Sequence, residues 1–516
     1  MAYVGSLDQG TTSTRFLIFD ETFTPVAGHQ VEHKQYTPQP GWLEHDADEI
    51  LANCWLCIDK AVAALKAKKG AGATVKAMGI TNQRETTVAW SAATGKPLCK
   101  AIVWSDARTA ETVQKVVATA GGGNADFARA VCGLPASTYF SAMKMRWMLD
   151  NVPAVASAHD SGDLRFGTID SWLVYSLSNG RPGAGAAARR NVHVTDVTNA
   201  SRTMLMSLAT RAWDANLCAK FGIKAATLPK IVSCSELLTD IHVDGVSIPV
   251  CGCIGDQQGA IVGQRCFAAG MAKNTFGTGC FLLTNTGTAV PPPSKSGLLV
   301  TVCYQLGPNA PTHYALEGAV AGAGSTVQWL RDKMGFFADA ADSEKLAASV
   351  PDAGGVVFVP AFGGLLAPHW RPDARGTIVG MTQHTTKAHL VRATLDAVAQ
   401  QVTQLVRAME KDSGVACTEL RVDGGMTRNK LLMQLQADSL GKPVRVPAMP
   451  ETTALGAAIC ASLVGGVWGD VVGGRGGAAQ QAAFATVAPR TTEAQRAALQ
   501  ARWDEAVQRS FGWDKL

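Results

Sequence analysis

One polar run near the start of the chain has the composition of a phosphate-binding turn. Residues 8–15 (DQGTTSTR) place a glycine and several hydroxyl side chains between two apolar stretches. A phosphate needs open backbone N–H groups and hydroxyl donors, and Asp8 beside the turn could hold Mg²⁺ through water. Taken locally, the run also fits a hairpin with a polar turn, and it lacks the Gly-Lys-Ser/Thr of a P-loop.

A second turn of the same character lies at residues 274–279 (NTFGTG). Apolar stretches flank both turns, over residues 3–20 and 271–285, which predicts two strand–turn–strand units. One such unit in each half of the chain indicates two related domains that face a common ligand, although the repeat is visible only in these hairpins.

Three further clusters follow apolar runs at points where strands would end. Asp256, after the run 248–254, could accept a proton from a ligand or cap the next helix. Arg84 and Glu85 could bind the hydroxyl groups of a polyol or form a solvated ion pair of little energetic value. Residues 421–425 (RVDGG) end in glycines, which either let a planar ligand approach the backbone or make a tight turn.

Strands and helices must alternate to hold these clusters. Residues 77–80 are typical of a strand, and residues 387–411 are typical of a helix because apolar side chains recur in steps of four and three. Thr385 or Thr386 could cap that helix, and Gly414 stands just past its end. The alternation predicts an α/β fold with mostly parallel or mixed sheets.

A chain of 516 residues exceeds what one hydrophobic core usually fills. We therefore expect two domains, residues 1–264 and 265–516, with the boundary just before the second hairpin. Residues 180–190 and 465–477 are rich in glycine and are expected to be surface connections.

Composition excludes several classes of partner. The net charge of +5 is small and no dense Lys/Arg run occurs, so we expect no nucleic-acid partner. The uncharged stretch 452–469 favours a buried helix over a membrane span. Thirteen cysteines, an odd number, favour a reducing compartment, and Cys54 and Cys57 lie in a helical pattern that predicts core positions.

The expected location is the cytoplasm, because no secretory signal pattern is visible. The last three residues, Asp514, Lys515 and Leu516, differ from a Ser-Lys-Leu address at the first position, and a peroxisome-like organelle stays open.

Taken together and in this order, the clusters resemble the FGGY carbohydrate kinases, most closely the members that phosphorylate glycerol. One family signature is matched within residues 139–151 and the other within 376–396. The other matching stretches are 40–45, 80–86, 195–203, 274–281, 421–425 and 452–458. The resemblance covers nearly the whole chain, apart from residues 180–190 and the last few dozen.

This resemblance implies two actin-like, ribonuclease-H-like α/β domains that flank a deep active-site cleft. It implies an enzyme that uses ATP and Mg²⁺ to convert glycerol to sn-glycerol 3-phosphate, the entry step of glycerol catabolism and a supply of glycerolipid precursor. It also implies a homo-oligomer, either a dimer or a tetramer.

The resemblance further implies a role for each matched residue. Asp256 would be the general base, and it would hold the metal together with Asp8, which acts through water. The implied glycerol site is Arg84, Glu85, Tyr139, Asp256 and Gln257, with Trp104 and Phe281 as an apolar wall. The implied ATP site is Thr11, Thr12, Ser13, Arg15, Gly277, Thr278, Gly324, Gln328, Gly425 and Asn429.

Two departures and two alternatives remain. Phe276 stands where many relatives have Tyr, and residues 244–247 (DGVS) lack the pattern that binds fructose 1,6-bisphosphate in some bacterial members. An FGGY kinase for another polyol or a pentulose is one alternative. It is disfavoured by Arg84, Glu85 and Tyr139 with the aromatic wall of Trp104 and Phe281, since a longer sugar needs more room. An actin-like ATPase scaffold is the other alternative, and it leaves Arg84, Glu85 and Trp104 without a role.

Overall fold

The fold is known from a computed structural model that describes residues 2–181, 190–469, 471–472 and 484–515. Most of the expected surface connection at 180–190 lies outside the described residues, and so does the part of the second connection at 470 and 473–477.

Strands occur throughout both halves. Those of the first half are β1 (Tyr3–Gln9), β2 (Ser13–Phe19), β3 (Pro25–Glu32), β4 (Glu44–His45), β5 (Val75–Asn82), β6 (Thr87–Ser91), β7 (Ala101–Ile102), β8 (Leu164–Thr168), β9 (Val194–Asp196), β10 (Lys230–Val232), β11 (Ser235–Val243) and β12 (Val246–Gly255). Those of the second half are β13 (Met271–Phe276), β14 (Cys280–Gly287), β15 (Leu299–Tyr304), β16 (His313–Val320), β17 (Val357–Val359), β18 (Thr377–Val379), β19 (Glu419–Asp423), β20 (Val444–Pro447) and β21 (Phe484–Val487).

Helices alternate with these strands. Those of the first half are α1 (Ala47–Lys69), α2 (Ala110–Thr119), α3 (Arg129–Cys132), α4 (Ser141–Asn151), α5 (Pro153–Ser161), α6 (Ile169–Ser178), α7 (Val197–Ala200), α8 (Ala215–Phe221) and α9 (Asp256–Gly263). Those of the second half are α10 (Gly324–Asp332), α11 (Asp342–Ala348), α12 (Lys387–Ser413), α13 (Lys430–Leu440), α14 (Thr452–Leu463) and α15 (Glu493–Arg509).

Two large mixed sheets organise the molecule. The first has the strand order β11-β12-β5-β1-β2-β3, and the second has the order β15-β16-β14-β13-β19-β20-β21. In the first sheet β12, β5 and β1 run parallel, and in the second β13, β19 and β20 run parallel. The predicted α/β architecture with mixed sheets is confirmed.

Both predicted hairpins form. β1 pairs antiparallel with β2, and every residue of β1 is buried. β13 pairs antiparallel with β14 around the turn at 277–279. Each hairpin therefore starts a large sheet, and its glycine-containing turn stands at the end of the first strand.

The predicted long helix is α12. It begins after Thr386, which forms a capping box with His389, and it ends before Gly414, whose φ of 70° is left-handed. Such a cap satisfies N–H groups that the first helical turn leaves unpaired. Its apolar face, with Val391, Leu395 and Val398 fully buried, packs on the second sheet.

The helix pair α9 and α14 joins the two sheets. α14 belongs to the second half of the chain, yet it packs on β5, β12 and β1 of the first sheet. At its crossing with α9, a Cβ on Gly456 would stand 1.8 Å from the Gly259 carbonyl oxygen, so the two helices touch through their backbones. The expected buried helix within 452–469 is this element, and no described helix is both long and apolar enough to cross a membrane.

Candidate active site

Three of the predicted clusters meet at one edge of the first sheet. Gly255 of β12, Asn82 of β5 and Gln9 of β1 lie in register on neighbouring parallel strands. The chain then continues into Asp256, into the segment 83–86 and into the turn after β1. Because neighbouring strands are about 4.8 Å apart, the outer two clusters stand about 10 Å from each other.

The second sheet brings together the glycine turns of the other half. Thr275 of β13 pairs with Asp423 of β19 on parallel strands, so residues 277–279 and Gly424 follow from the same edge. A Cβ on Gly424 would stand 2.4 Å from the Phe276 carbonyl oxygen, and its φ is 91°. Glycine is therefore required where these two turns touch.

Gly324, the first residue of α10, completes this edge. Its N–H donates to the Gly277 carbonyl at 3.0 Å, and a Cβ there would stand 2.6 Å from the same oxygen. A cavity of about 380 Å³ opens beside these turns. Its lining includes all six residues expected on this side of the ATP site: Gly277, Thr278, Gly324, Gln328, Gly425 and Asn429.

The cavity has walls that the sequence reasoning did not name. Val327, Met426, Ala340 and Ala341 supply apolar surface, and Ser343, Glu344 and Arg428 supply polar groups. Its volume lies within the range of small-molecule sites, and a base with an apolar face and polar edges fits such a lining.

Arg84 and Glu85 are buried, with 3% and 1% of their surfaces exposed. Arg84 forms a bidentate ion pair with Glu317 of β16. Its Nη1 donates to Oε2 at 2.7 Å and its Nη2 donates to Oε1 at 2.8 Å. Arg202 donates from Nε to Glu85 Oε1 at 2.6 Å, and its Nη2 is 3.4 Å from Glu317 Oε1. The solvated ion pair considered from the sequence is wrong for Arg84 and Glu85.

We call Glu85, Arg202, Glu317 and Arg84 the charge quartet, because acid and base alternate along it. Burial alone would raise the pKa of Glu317, but the guanidinium groups of Arg202 and Arg84 lower it to about 2. Burial lowers the pKa of Arg84, but the carboxylates of Glu317 and Glu85 raise it well above its usual range. Glu317 and Arg84 are therefore both ionised, and each compensates the other's desolvation.

Glu85 has a left-handed backbone, with φ of 61°. This conformation costs a non-glycine residue about 1–3 kcal/mol and persists only where the surroundings hold it. Here the Glu85 carbonyl accepts hydrogen bonds from Ser141 Oγ at 3.1 Å and Thr87 Oγ1 at 2.9 Å. With this backbone conformation, the Glu85 carboxylate lies in the buried charge quartet.

Asp256 begins α9 and keeps 30% of its side chain open to the cleft, although it lies deep between the sheets. Its Oδ1 is 3.3 Å from Arg84 Nε and accepts from the Gln257 N–H at 2.6 Å. Burial raises the pKa of Asp256 to about 6, with Arg84 opposing and Glu85 reinforcing the rise. This carboxylate can accept a proton near neutral pH.

Lys273 of β13 is a fully buried cation beside this carboxylate. Its Nζ donates to Gln257 Oε1 and to Thr275 Oγ1, both at 2.7 Å. Burial lowers the pKa of Lys273, and the carboxylates of Asp423 and Asp256 oppose that shift. Lys273 thereby orients the side chain of the predicted ligand Gln257.

Trp104 and Tyr139 pack edge to face, with ring centroids 5.7 Å apart. Trp104 Nε1 donates to Thr11 Oγ1 at 2.9 Å, which ties this aromatic pair to the first phosphate turn. Lys144 Nζ donates to the Tyr139 carbonyl at 2.6 Å and so holds the loop that carries the ring.

Phe281 comes from the opposite sheet. It is half-buried and pairs with Ala319, two residues from Glu317 on β16. Side chains alternate along a strand, so Phe281 and Glu317 lie on one face of the second sheet. The aromatic wall and the charge quartet are thus both completed from that sheet.

Arg15 is engaged by two carboxylates. Its Nη2 is 2.5 Å from Asp8 Oδ2, and its Nη1 is 2.5 Å from Oε2 of Glu451, the residue just before α14. In the turn between β1 and β2, Thr12 is exposed. Ser13, the first residue of β2, accepts a hydrogen bond at Oγ from Gln30 Nε2 at 3.1 Å. Arg15 must exchange a carboxylate for a phosphate if it contacts ATP.

The carboxylates of Asp8 and Asp256 fit Mg²⁺, which prefers oxygen ligands and keeps much of its water. Asp8 lies near the end of β1 and Asp256 directly follows β12, at the same edge of the first sheet with β5 between the two strands. Among the described residues, a closer group of three potential ligands exists elsewhere, at Asp170, Asp196 and Cys253. There the carboxylates already accept hydrogen bonds from Thr195 and Thr198, so that group is structural.

Four residues of the site were missed from the sequence: Arg202, Lys273, Glu317 and Glu451. Lys273 is the one charged side chain of β13, and Glu317 is the one acidic side chain of β16, and both strands are mostly buried. A lone charge in a buried strand costs several kcal/mol unless it is paired, so this pattern is the signal that could have found them.

Comparison with known proteins gives a consistent result. The model of the FGGY family of carbohydrate kinases matches residues 3–263 with its N-terminal domain and residues 272–464 with its C-terminal domain. The chain is 50% identical over 512 residues to the glycerol kinase of Acidiphilium cryptum strain JF-5, covering 99% of both chains. It is 49% identical over 523 residues to the glycerol kinase of Arabidopsis thaliana, covering 99% of this chain and 98% of that one.

A solved structure extends this likeness to three dimensions. The glycerol kinase of Plasmodium falciparum, crystallised with ADP, superposes with a TM-score of 0.91 at 38% identity, covering 99% of this chain and 98% of that one. The expected two-domain α/β fold and the expected kinase activity are both confirmed by these relatives. The chain belongs to the FGGY family of carbohydrate kinases.

Proposed function

We infer that this chain transfers the γ-phosphoryl group of ATP to a terminal hydroxyl of glycerol and releases sn-glycerol 3-phosphate. The single observation that carries this inference is the pairing of a buried, charged polyol site with a proton-accepting carboxylate, Asp256, opposite a glycine-lined cavity. Relatives named glycerol kinase at 50% and 49% identity support the choice of acceptor.

In the proposed reaction, Asp256 accepts the proton of the attacking hydroxyl. Its open carboxylate and its pKa of about 6 support this role, because a base works best when its pKa lies near the working pH. Arg84 and Glu85 bind the other hydroxyls as donor and acceptor, together with Tyr139 and Gln257. Trp104 and Phe281 cover the carbon chain and keep water away from the phosphoryl group.

The nucleotide binds through the turns of both sheets. Backbone N–H groups near Thr11, Thr12 and Thr278 meet the phosphates, helped by Ser13 and Arg15, and the cavity beside Gly324, Gln328, Gly425 and Asn429 takes the adenosine. Phosphoryl transfer depends mainly on positioning and on neutralising equatorial charge, which such turns supply. Mg²⁺, held by Asp256 and through water by Asp8, supplies further positive charge when bound.

The test is an acceptor panel. ADP release with Mg-ATP is followed for glycerol, dihydroxyacetone, erythritol, ribulose and xylulose, and the phosphorylated product is identified. We expect strong turnover with glycerol and little with the sugars. Turnover with a pentulose in place of glycerol would overturn the acceptor, and ATP hydrolysis without any acceptor dependence would favour the scaffold alternative.

We propose that the domains meet at residues 264 and 265, as expected from the sequence. What supports this boundary is that β12 is the last strand of the first sheet along the chain, α9 follows it, and β13 is the first strand of the second sheet. The return of α14 onto the first sheet means that the second domain would remain attached by helix packing as well as by the chain. Structures with and without glycerol and ADP test the boundary, and a rigid-body movement whose hinge lies far from residues 264 and 265 would contradict it.

We propose a homo-oligomer, a dimer or a tetramer. Supporting it, Phe362, Leu366 and Trp370 expose 42%, 39% and 50% of their surfaces within one short segment. Apolar side chains clustered on a surface mark contact sites. Light scattering should give a multiple of 54.1 kDa, and a monomer at all concentrations would overturn the proposal.

We propose a reducing compartment, the cytoplasm, as the site of action. All thirteen cysteines are unpaired, and all but the half-buried Cys99 are buried. Free thiols persist where glutathione keeps them reduced. Cell fractionation with a tagged chain tests the location, and recovery in a peroxisome-like organelle would contradict it.

A further inference from the structure

We propose that Glu317 and Arg202 are positioning residues for polyol binding: Glu317 holds the guanidinium of Arg84 and Arg202 holds the carboxylate of Glu85. Glu317 comes from the second sheet, whereas Arg84 and Glu85 follow a strand of the first. Glycerol affinity therefore depends on a side chain of the sheet that binds the nucleotide. This inference rests on the proposed function, because it assigns Arg84 and Glu85 to the acceptor.

The hydrogen bonds of Arg84 show how little freedom Glu317 leaves it. A guanidinium has five N–H donors in one plane. Two of these groups, one on each Nη atom, donate to the Glu317 carboxylate. The second N–H of Nη1 donates to Gln258 Oε1, with 3.3 Å between the nitrogen and the oxygen, and Nε lies 3.3 Å from Asp256 Oδ1. Among the described residues, one N–H of Nη2 remains for a ligand. The direction of that donor is set by the plane that Glu317 imposes.

Gln258 assists from the side without replacing this anchor. Its Nε2 donates to the Val302 carbonyl at 3.2 Å, which turns its Oε1 towards Arg84. One amide oxygen at 3.3 Å cannot fix the plane of a guanidinium, whereas a carboxylate that accepts from both Nη atoms does.

Arg202 plays the matching part for Glu85. It is fully buried, and its guanidinium carbon lies 5.5 Å from the centre of the Tyr139 ring. One cation thus contacts Glu85, Glu317 and the face of Tyr139, so it aligns two predicted polyol ligands at once. Lysine in its place has a point charge and could reach one carboxylate but not hold both.

The position of Glu317 in its sheet explains why it reaches Arg84. Lys273 on β13, Leu283 on β14 and Glu317 on β16 occupy one row across the second sheet. Side chains in a row share a face, so the buried cation Lys273 and the anion Glu317 both face the first sheet. From this row, Lys273 contacts Gln257 and Glu317 contacts Arg84.

The experiment compares Glu317→Gln, Glu317→Asp and Arg202→Lys with wild type. Glutamine keeps the shape of Glu317 but sets an NH₂ against one of the guanidinium nitrogens, so Arg84 must turn. A misplacement of about 1 Å can cost about 10²-fold. We therefore expect kcat/KM for glycerol to fall about 10²-fold in Glu317→Gln and about 10-fold in each of the other two variants.

The matched control is Glu419→Gln. Glu419 also joins two guanidiniums in the second sheet, through Oε1 to Arg421 Nε at 2.7 Å and through Oε2 to Arg445 Nε at 3.1 Å. It stands at the start of β19, the end of that strand away from the turns. We expect its kcat/KM for glycerol to stay within about 2-fold of wild type, since the guanidiniums that Glu419 holds are those of Arg421 and Arg445 and not that of Arg84.

The readouts separate positioning from mere stability. KM for glycerol should rise while KM for ATP changes little, and stabilisation of the ATP-free protein by glycerol in thermal melts should weaken in step. A lower melting temperature with an unchanged KM for glycerol would overturn the inference. If Glu317→Gln does not fold, an unchanged KM in Glu317→Asp and Arg202→Lys overturns it equally.

The same assays keep this inference apart from the proposed function. Wild-type protein that does not phosphorylate glycerol overturns the function itself. Wild-type turnover with glycerol, accompanied by variants that bind glycerol normally, overturns only the positioning roles of Glu317 and Arg202.

Discussion

The two ends of the cleft are built on different principles. At the polyol end, four charged side chains of the charge quartet are each at most 3% exposed and bind one another. At the proposed nucleotide end, glycine turns line the cavity with backbone, and Thr278 and Gln328 are exposed. One end depends on side-chain charge and the other on backbone shape.

A cleft with two such ends can combine selectivity for the acceptor with a general phosphate site. A buried charged group that loses its hydrogen-bond partner is costly, so the polyol end discriminates strongly between acceptors. Backbone N–H groups at a turn recognise any phosphate with the right spacing and need only that nothing blocks them. Substitutions at the two ends should therefore change different kinetic constants.

The largest expected effect is at the carboxylate between the two ends. Asp256→Asn removes the proton acceptor with little change of shape, and we expect kcat to fall about 10²- to 10⁴-fold. Steady-state ADP release measures it, with Asp160→Asn as the control because that side chain is 85% exposed. Turnover of Asp256→Asn near the wild-type rate would remove the general base from the mechanism.

A substitution at the nucleotide end should weaken the binding of ATP and leave the binding of glycerol unchanged. In Gly324→Ala the new methyl group would stand 2.6 Å from the Gly277 oxygen. Overpacking of this kind typically costs about 1–3 kcal/mol, so KM for ATP should rise roughly 10-fold or more while KM for glycerol stays near wild type. Gly72→Ala is the control, since a Cβ there meets nothing within 4 Å. An equal rise in both constants would break the distinction between the two ends.

The pH profile tests the proton acceptor without a mutation. Burial raises the pKa of Asp256 to about 6, and the base acts only when ionised. Activity is therefore full above that value and is lost as the pH falls through it, with kcat/KM for glycerol dropping about tenfold per unit below pH 6. Rates measured from pH 5 to 8 at saturating Mg-ATP test this, and a flat profile down to pH 5 would contradict it.

The smallest effect concerns the aromatic link between the ends. Trp104→Phe keeps a ring beside Tyr139 but removes the hydrogen bond to Thr11. One such bond contributes about 0.5–1.5 kcal/mol, so KM for ATP should rise roughly 2- to 10-fold. Trp513→Phe is the control, because this exposed indole also donates to a single acceptor, the Arg509 carbonyl. If KM for ATP is the same in both variants, the hydrogen bond from Trp104 to Thr11 does not contribute to ATP binding.

Much of the fold was predictable because its signals are local. The hairpins at β1–β2 and β13–β14 and the helix α12 follow from apolar periodicity, turn residues and caps that lie within a few positions. The packing of α14 on the first sheet was not predictable, because it joins Gly79 of β5 to Ala457 of α14, which are 378 positions apart in the chain. It depends on glycine at positions 79 and 252 of the first sheet, where a Cβ would stand 2.1 Å and 2.9 Å from the Ala457 carbonyl oxygen of α14.

The residues of the candidate site also divide into those with a local sequence signal and those without one. Asp256, Arg84 and the glycine turns were found because each lies at a strand end beside glycine or polar residues. Glu317 was missed because its partner Arg84 is 233 positions away, and no local pattern links them. Arg15 was expected to help ATP, but its ion pair with Glu451 could not be seen from either segment alone.

The family, the strand–turn–strand units and the chemical types at each strand end could be predicted from the amino-acid sequence, because each depends on short segments. Which charges neutralise one another depends on the fold, since burial sets that requirement and burial is a property of the assembled sheets. Arg84 reads as a surface residue in its segment and becomes a fixed donor only when β16 brings Glu317 against it. Desolvation makes that pairing obligatory, because neither charge is stable alone in the interior.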